Sequence, residues 1–370
     1  MNFDFNEEQG AVRDLAAQIF AGHATVERVK EIERSEERFD RELWKALAAA
    51  NLLGIALPDD VGGSGFGIIE LCLLLEQQGR VVAPVPLWPT LVLGAPAIAQ
   101  FGSTEQRARW LPGVVNGDTI LTAALAESGA NDATAPAIVA TRDGDSWRLD
   151  GVKPSVPAAP VADCVLVPAQ LTGEPDGIGV FLVEPASTGI TRERAMTTSR
   201  EVVAQLEMSG AHAELLTRER GAVTWMLDRA LVGLCAMQVG VAEAALRLAA
   251  DYASNRHQFG KPLSTFQGVA LKAADAYIDT EAMRVTMWQA AWKLSEGRDA
   301  TGDVLVAKWW ASEAGQRVVH TTQHLHGGLG ADVDYPVHRY FLWGKQIEDT
   351  LGGASATLAR LGTVLAGASR

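Results

Sequence analysis

Cysteine is scarce in this chain. Three residues in 370, Cys72, Cys164 and Cys235, lie far apart among apolar neighbours. No CxxC pair and no Cys/His spacing of the metal-binding kind occurs, which argues against a metal site and fits reduced, buried thiols. Positive charge is also short. The 32 Lys and Arg against 45 Asp and Glu leave a net charge of −13, the wrong sign for a nucleic-acid partner, because phosphate backbones are held by basic surfaces. One phosphorylated ligand is still allowed, since a few placed arginines suffice for it. Long hydrophobic runs are missing too. The most apolar stretch, about Ala230 to Ala242, is shorter than a bilayer requires and is flanked by Arg229 and Glu243. The opening MNFDFNEEQGAVRDL is acidic and carries no apolar secretory segment, so the expected location is the cytoplasm, with no membrane partner. No P-loop, no GxGxxG fingerprint and no Ser-His-Asp set is present.

What is there is ordinary globular composition, 48% hydrophobic and 21% charged, over a length that suggests two or three cores. Three textures follow one another. From Glu7 to about Gly117 apolar residues recur at helical spacing, as in Val12, Leu15, Ala16 and Ile19, or Leu43, Leu47, Leu52 and Leu53. The glycine-rich loop Pro58 to Gly67 interrupts them before a helix resumes at Ile68. From Leu121 to about Thr217 short apolar runs alternate with turn residues, and ATRDGDSWRLDG reads as a hairpin around Asp143-Gly144. From Gly221 onward long helical patterns return, over Val223 to Ser254, Phe266 to Leu294 and Val304 to Leu325. Helices this long and apolar pack as a bundle.

Three stretches invite a chemical reading. Asn255-Arg-His-Gln-Phe-Gly-Lys-Pro262 is a helix stop, with Gly260 and Pro262 ending the helix and Arg256 at its negative pole. Alternatively, Arg256 and Gln258 are donors for an anionic ligand beside the aromatic face of Phe259. Gln323-His-Leu-His-Gly-Gly-Leu-Gly330 is an ordinary turn, or a place where backbone approaches a phosphate. Its histidines, His324 and His326, lack a third metal ligand at credible spacing and read as hydrogen-bonding or packed side chains. The pair Gly352-Gly353 is a helix break, since each glycine costs a helix about 1 kcal/mol relative to alanine. The residues alone reach an α–β–α protein with room for a nucleotide cofactor.

In order and together, these pieces resemble the acyl-CoA dehydrogenase family over essentially the whole chain. FNEEQGAVRDLAAQIF is similar to that family's opening helix, RHQFGKPLSTFQ to its Arg-x-x-Phe-Gly segment and following Gln, and HLHGGLGADVDYPVHRY to its Gly-Gly-x-Gly segment. The resemblance implies an α+β fold: an N-terminal helical domain (1–118), a middle β domain (119–217) and a C-terminal four-helix bundle (218–370) that completes the cofactor site and the oligomer. It also implies FAD as cofactor and α,β-dehydrogenation of an acyl-CoA, with a glutamate removing the α proton. In this family each FAD is shared between subunits, and the neighbour's bundle holds the adenosine diphosphate end.

Carried over residue by residue, the neighbour-facing half is retained. Arg256 and Phe259, then Gln267, and then Gly327 and Gly328 match it, Gln258 stands beside them as a candidate donor, and His324 stands where Gln is usual but still offers a donor. The half that meets the flavin ring departs. Ala126-Glu-Ser-Gly-Ala-Asn-Asp132 replaces a Thr-Glu-Pro-Gly-x-Gly-Ser segment, and KPSVPAAP places Ser155 and Pro157 where Trp and Thr contact the flavin. The two places where family members carry the base fall on Gly352 and Ala230, and neither accepts a proton. Glu348, Asp349, Asp228 and Glu127 are expected on solvated faces. The resemblance therefore implies a non-catalytic subunit, similar to those of actinobacterial α2β2 enzymes acting on steroid side-chain thioesters. Such a chain lends its half of the FAD site to a paralogous catalytic subunit, with the acyl-CoA bound at that partner's site. Two alternatives stay open: a self-sufficient dehydrogenase with a base relocated to Glu348 or Glu127, and a flavin-free acyl-CoA-binding scaffold.

Overall fold

The structure, a computed structural model, describes residues 4–129, 132–174 and 176–368. Helices come first: α1 (Glu7–His23), α2 (Val26–Arg34), α3 (Arg41–Ala49), α4 (Ile68–Val81), α5 (Ala95–Phe101) and α6 (Thr104–Asn116). Strands follow: β1 (Leu121–Ala123), β2 (Val139–Asp143), β3 (Ser146–Pro157), β4 (Cys164–Leu171), β5 (Ile178–Val183), β6 (Ile190–Met196) and β7 (Val202–Thr217). The chain then returns to helix with α7 (Ala222–Asn255), passes through a short hairpin of β8 (His257–Gln258) and β9 (Lys261–Pro262), and ends with α8 (Gln267–Ser295), α9 (Thr301–Leu325), α10 (Val337–Asp349) and α11 (Ala354–Ala368).

Local chemistry starts the helices where the sequence places them. Asn6 closes a capping box on α1: its side chain accepts from the Gln9 amide at 2.8 Å, and the Gln9 side chain accepts from the Asn6 amide at 3.1 Å. Ser103 and Gln106 repeat the device on α6, and Asp40 caps α3 through the amides of Glu42 and Leu43.

By compactness the chain divides into two units. One holds residues 1–30, 68–83 and 231–370; the other holds 31–67 and 84–230. The first helical stretch is therefore distributed: α1 and α4 belong with the C-terminal helices, while α3, α5 and α6 belong with the strands. The cause is visible in the bundle. Glu76 on α4 and Glu243 on α7 are bridged twice, by Arg80 at 2.9 and 2.8 Å and by Arg284 of α8 at 2.8 and 2.6 Å. Burial works against the Arg284 charge, and the two carboxylates more than restore it. Backbone also meets backbone here. A Cβ at Gly79 would lie 2.2 Å from the Met237 carbonyl, and one at Gly240 would lie 2.1 Å from that of Glu76.

By length and composition α7 is apolar enough to cross a bilayer, which the count from Ala230 to Ala242 understated. Of its most apolar window, 72% is buried inside the chain, so that apolarity serves the core. On α9, Lys308 is fully buried and donates to the carbonyls of Ile347 at 2.7 Å and Glu348 at 3.0 Å, and to Ser312 Oγ at 3.1 Å. It thereby satisfies the carbonyl end of α10. Burial pushes its ammonium down to about 8.

In the other unit the strands run β1-β4-β2-β3-β7-β5, β6 pairs with β7, and β5 pairs back onto β4. The five strands β4, β2, β3, β7 and β5 thus close on themselves around Val165, Val167, Phe181, Leu206 and Ala213. The hairpin read from DGDS is present, with Asp143 opposite Ser146 and Gly144 at φ +63°. Trp147 and Phe181 meet edge to face at 5.3 Å. The β3–β7 register slips between Lys153 and Val156, where one strand gains a residue on the other. Pro154 lies inside this bulge and has no N–H to give the ladder.

Candidate cofactor-binding site

The bundle unit carries the residues read as a cofactor grip. Helix α7 stops at Asn255, and Arg256 hands its carbonyl to the Leu263 amide at 2.8 Å. The next residues form a two-residue hairpin, Gln258 opposite Lys261, whose tip is Phe259 at φ +53° and Gly260 at φ +77°. Glycine adopts that tip freely, whereas phenylalanine at positive φ carries strain of about 1–2 kcal/mol. The ring gains nothing from burial in return, being 92% exposed, although Phe266 lies edge-on at 6.2 Å. The turn thus presents an aromatic face outward at a backbone cost that its own packing does not offset.

The stop reading and the ligand reading of this segment are thus compatible. The helix ends here, and Arg256, Gln258 and Phe259 are all exposed beyond it. Gln267 opens α8.

The glycine turn follows α9. His326 is packed: Tyr252 of α7 stacks on its ring at 4.8 Å, and Tyr335 leans on it at 5.2 Å. Its Nδ1–H donates to the Thr322 carbonyl at 2.7 Å. Burial lowers its pKa, with the Thr322 and Leu248 carbonyls opposing. Tyr252 also accepts the Arg256 amide through its carbonyl at 2.8 Å, so the Arg256 turn and the glycine turn are tied by one stack. His324 is exposed and takes a hydrogen bond on Nδ1 from Lys272 of α8 at 3.0 Å.

Gly327 needs its glycine, at φ +59°. Gly328 does not: its φ is ordinary, and a Cβ there would meet nothing within 4 Å. Gly330 differs, since its Cβ would press the Gln323 carbonyl at 2.3 Å. Space left bare at Gly328 suits the close approach of something outside the chain. Sequence reasoning missed Lys272 and Tyr252, because neither falls inside a motif and their partners lie far along the chain.

In the barrel unit, the stretches read as flavin-facing are joined by a buried ion pair. Lys153 Nζ, fully buried, bonds Glu127 Oε1. Burial pushes the Lys153 ammonium down, and the Glu127 carboxylate opposes that. This corrects the expectation that Glu127 lies on a solvated face: it is 6% exposed, and its Oε2 has no partner among the described residues. Ala130 and Asn131 of the same stretch lie outside the described residues. Ser155 is exposed in the bulge, and Pro157 gives its carbonyl to Thr122 Oγ1 at 2.7 Å.

The places read as base positions are equally concrete. Ala230 is fully buried, and its carbonyl accepts the Trp88 indole N–H at 2.9 Å. Gly352 has φ +107°, a conformation side-chain-bearing residues rarely adopt, and it follows Leu351 at φ +59°. Of the possible substitutes, Glu348 is half-buried and paired with Lys345, while Asp349 is exposed. Among the described residues no three His, Cys, Asp or Glu side chains gather as a metal site.

A helical N-terminal stretch, a closed β barrel and long C-terminal helices with a glycine turn after α9 are the parts expected of an acyl-CoA dehydrogenase. The comparisons agree with that class. Residues 6–118 match the acyl-CoA dehydrogenase N-terminal domain, and residues 220–362 match the acyl-CoA dehydrogenase C-terminal domain. The chain belongs to the acyl-CoA dehydrogenase family. Among curated relatives, acyl-CoA dehydrogenase FadE27 of Mycobacterium tuberculosis is 40% identical, with 99% of both chains covered. A solved structure of a variant of the Tcur3481-Tcur3483 steroid acyl-CoA dehydrogenase is 53% identical at a TM-score of 0.94, covering 98% of this chain and 99% of that one. The ChsE4-ChsE5 complex from Mycobacterium tuberculosis matches at 40% identity and TM-score 0.93, covering 99% of each chain.

Proposed function

We propose that this chain is the non-catalytic subunit of a heteromeric acyl-CoA dehydrogenase, and that its bundle completes the FAD site of a paralogous catalytic partner. The family's reaction removes a proton from the α carbon and a hydride from the β carbon of an acyl-CoA, and FAD supplies the hydride acceptor when bound.

The residues of this chain fit one end of that cofactor and not the other. Arg256, Gln258, Gln267, His324 and the bare backbone at Gly327-Gly328 offer donors and space to a diphosphate, and Phe259 offers an aromatic face to the adenine. Ser155 has no ring, and Pro157 has neither hydroxyl nor N–H and has already given its carbonyl to Thr122. These residues do not fit the isoalloxazine.

The observation that carries the proposal is the pair of base positions. Ala230 is sealed in the core, and Gly352 sits at φ +107°; neither offers a carboxylate. A base relocated to Glu127 is opposed by its ion pair with buried Lys153, and one relocated to Glu348 by the ion pair of its carboxylate with Lys345. The two structural neighbours named for paired chains support a paralogous partner, and the proposal sets the assembly as α2β2. The steroid dehydrogenase among them supports a steroid side-chain CoA thioester as the substrate, bound at that partner's site. The same proposal places the domains at 1–118, 119–217 and 218–370 and the protein in the cytoplasm, with α7 as a core helix.

The chain purified alone tests this. It is expected to hold far less than one FAD and to show no flavin bleaching with any acyl-CoA. A fully loaded yellow chain reduced by acyl-CoA without a partner overturns it.

A further inference from the structure

Among the described residues Lys272 has no carboxylate partner. It lies exposed on α8, and its one hydrogen bond among the described residues goes to the ring of His324, 52 positions away, at 3.0 Å. In a chain with 45 acidic side chains, an exposed lysine set against a neutral acceptor keeps its charge for something else. The contact also fixes the histidine. An ammonium has only hydrogens to give, so Nδ1 of His324 must be the acceptor and the ring proton must sit on Nε2. His324 is therefore held as a donor, with its donating nitrogen opposite the one Lys272 occupies. Just beyond His324 stand Gly327 and Gly328, exposed and open, where a Cβ would meet nothing within 4 Å.

Resting on the reading that this bundle grips a partner's FAD, we propose that Lys272 is a further diphosphate-binding residue. Its ammonium supplies charge, and its hydrogen bond locks His324 as an Nε2–H donor to the same anion. The pair does together what a neutral amide at position 324 does alone, and it adds a charge that an amide lacks. The grip then becomes more sensitive to salt, because a charge–phosphate contact is screened while a neutral donor is not.

The test uses the full-length chain co-expressed with a paralogous catalytic chain, with FAD release measured across a sodium chloride series. Lys272→Met is expected to raise the FAD dissociation constant by about tenfold, the usual size of one lost charge-assisted contact, and to flatten its salt dependence. His324→Leu is expected to weaken FAD binding by a similar factor while the salt dependence stays, because the Lys272 charge remains, and His324→Gln to stay within about threefold of the unmodified complex. Nitrogen-15 spectra of the chain alone are expected to show His324 protonated on Nε2, a preference lost in Lys272→Met. Thermal melts confirm that each variant folds.

Arg256→Ala separates the two levels. If it releases FAD while Lys272→Met leaves affinity, salt dependence and tautomer unchanged, this inference is wrong and the FAD-completing reading survives. If Arg256→Ala also leaves FAD bound as before, that reading falls with it.

Discussion

Replacing Glu127 by Gln would strand a fully buried ammonium. Lys153 has no exposed surface and Glu127 only 6%, so their ion pair is shielded from water and from salt. Removing one member of a buried pair costs about 3–5 kcal/mol, because the remaining charge loses its compensation. Against a total stability on the order of 5–15 kcal/mol, that is a large part of what holds the barrel unit.

The direction with pH also follows. Burial already pushes the Lys153 ammonium below its ordinary value, and Glu127 opposes that; without Glu127 the folded state favours the neutral amine more strongly. The unfolded chain then binds more protons than the folded one, so the cost of Glu127→Gln shrinks as pH rises. The double variant Glu127→Leu with Lys153→Met should recover most of the loss, with a coupling of at least about 2 kcal/mol. Urea unfolding of the unmodified chain, Glu127→Leu, Lys153→Met and their double variant, with Glu127→Gln beside them, at two pH values, provides the assay. A Glu127→Gln cost under about 1 kcal/mol, or additive single and double changes, would refute the buried-pair reasoning. Flavin content of the assembled complex should not change, because this pair frames the barrel rather than the diphosphate grip.

Phe259→Gly removes both the strained φ and the presented ring. The isolated chain should gain about 0.5–1 kcal/mol in a thermal melt while the complex loses FAD, an opposition that simple packing does not produce. Glu201 accepts from Ser199 Oγ at 2.8 Å, and burial pushes its carboxyl up to about 7. Its folded value lies above its unfolded one, so its stabilising contribution is present in acid and is lost as pH rises toward about 7. Glu201→Gln should flatten the fall in melting temperature between about pH 5 and 7. Gly352→Glu should not confer dehydrogenation on the isolated chain, since φ +107° strains any side chain there and Ser155 and Pro157 still do not fit a flavin ring; turnover by that variant alone would contradict this.

Much of the fold was legible because it is written in local periodicity. The long helices announced themselves within a few residues of the ends of α7, α8 and α9, and the Asp143-Gly144 turn marked its hairpin. Strand β7 was not delineated. Its Ala, Gln, Leu, Glu and Met residues favour helix locally, and only pairing with β3, β5 and β6 makes it a strand. The same distance in sequence hid the partners at the sites. Glu127 and Lys153 are 26 positions apart and Lys272 and His324 are 52 apart, so no spacing rule joins them. Glu127 in particular reads as a surface carboxylate until the barrel closes over it. The positive φ at Gly352 was equally invisible, although the glycine itself was plain.

The flavin count of the assembled enzyme bears most directly on the central claim. Co-expressed with a paralogous catalytic chain, this chain should copurify in a complex holding one FAD for every two chains if, as proposed, only the partner supplies a flavin-facing half and a base. One FAD per chain, measured by absorbance against quantified polypeptide, would show that this chain furnishes a complete site of its own and would contradict the account.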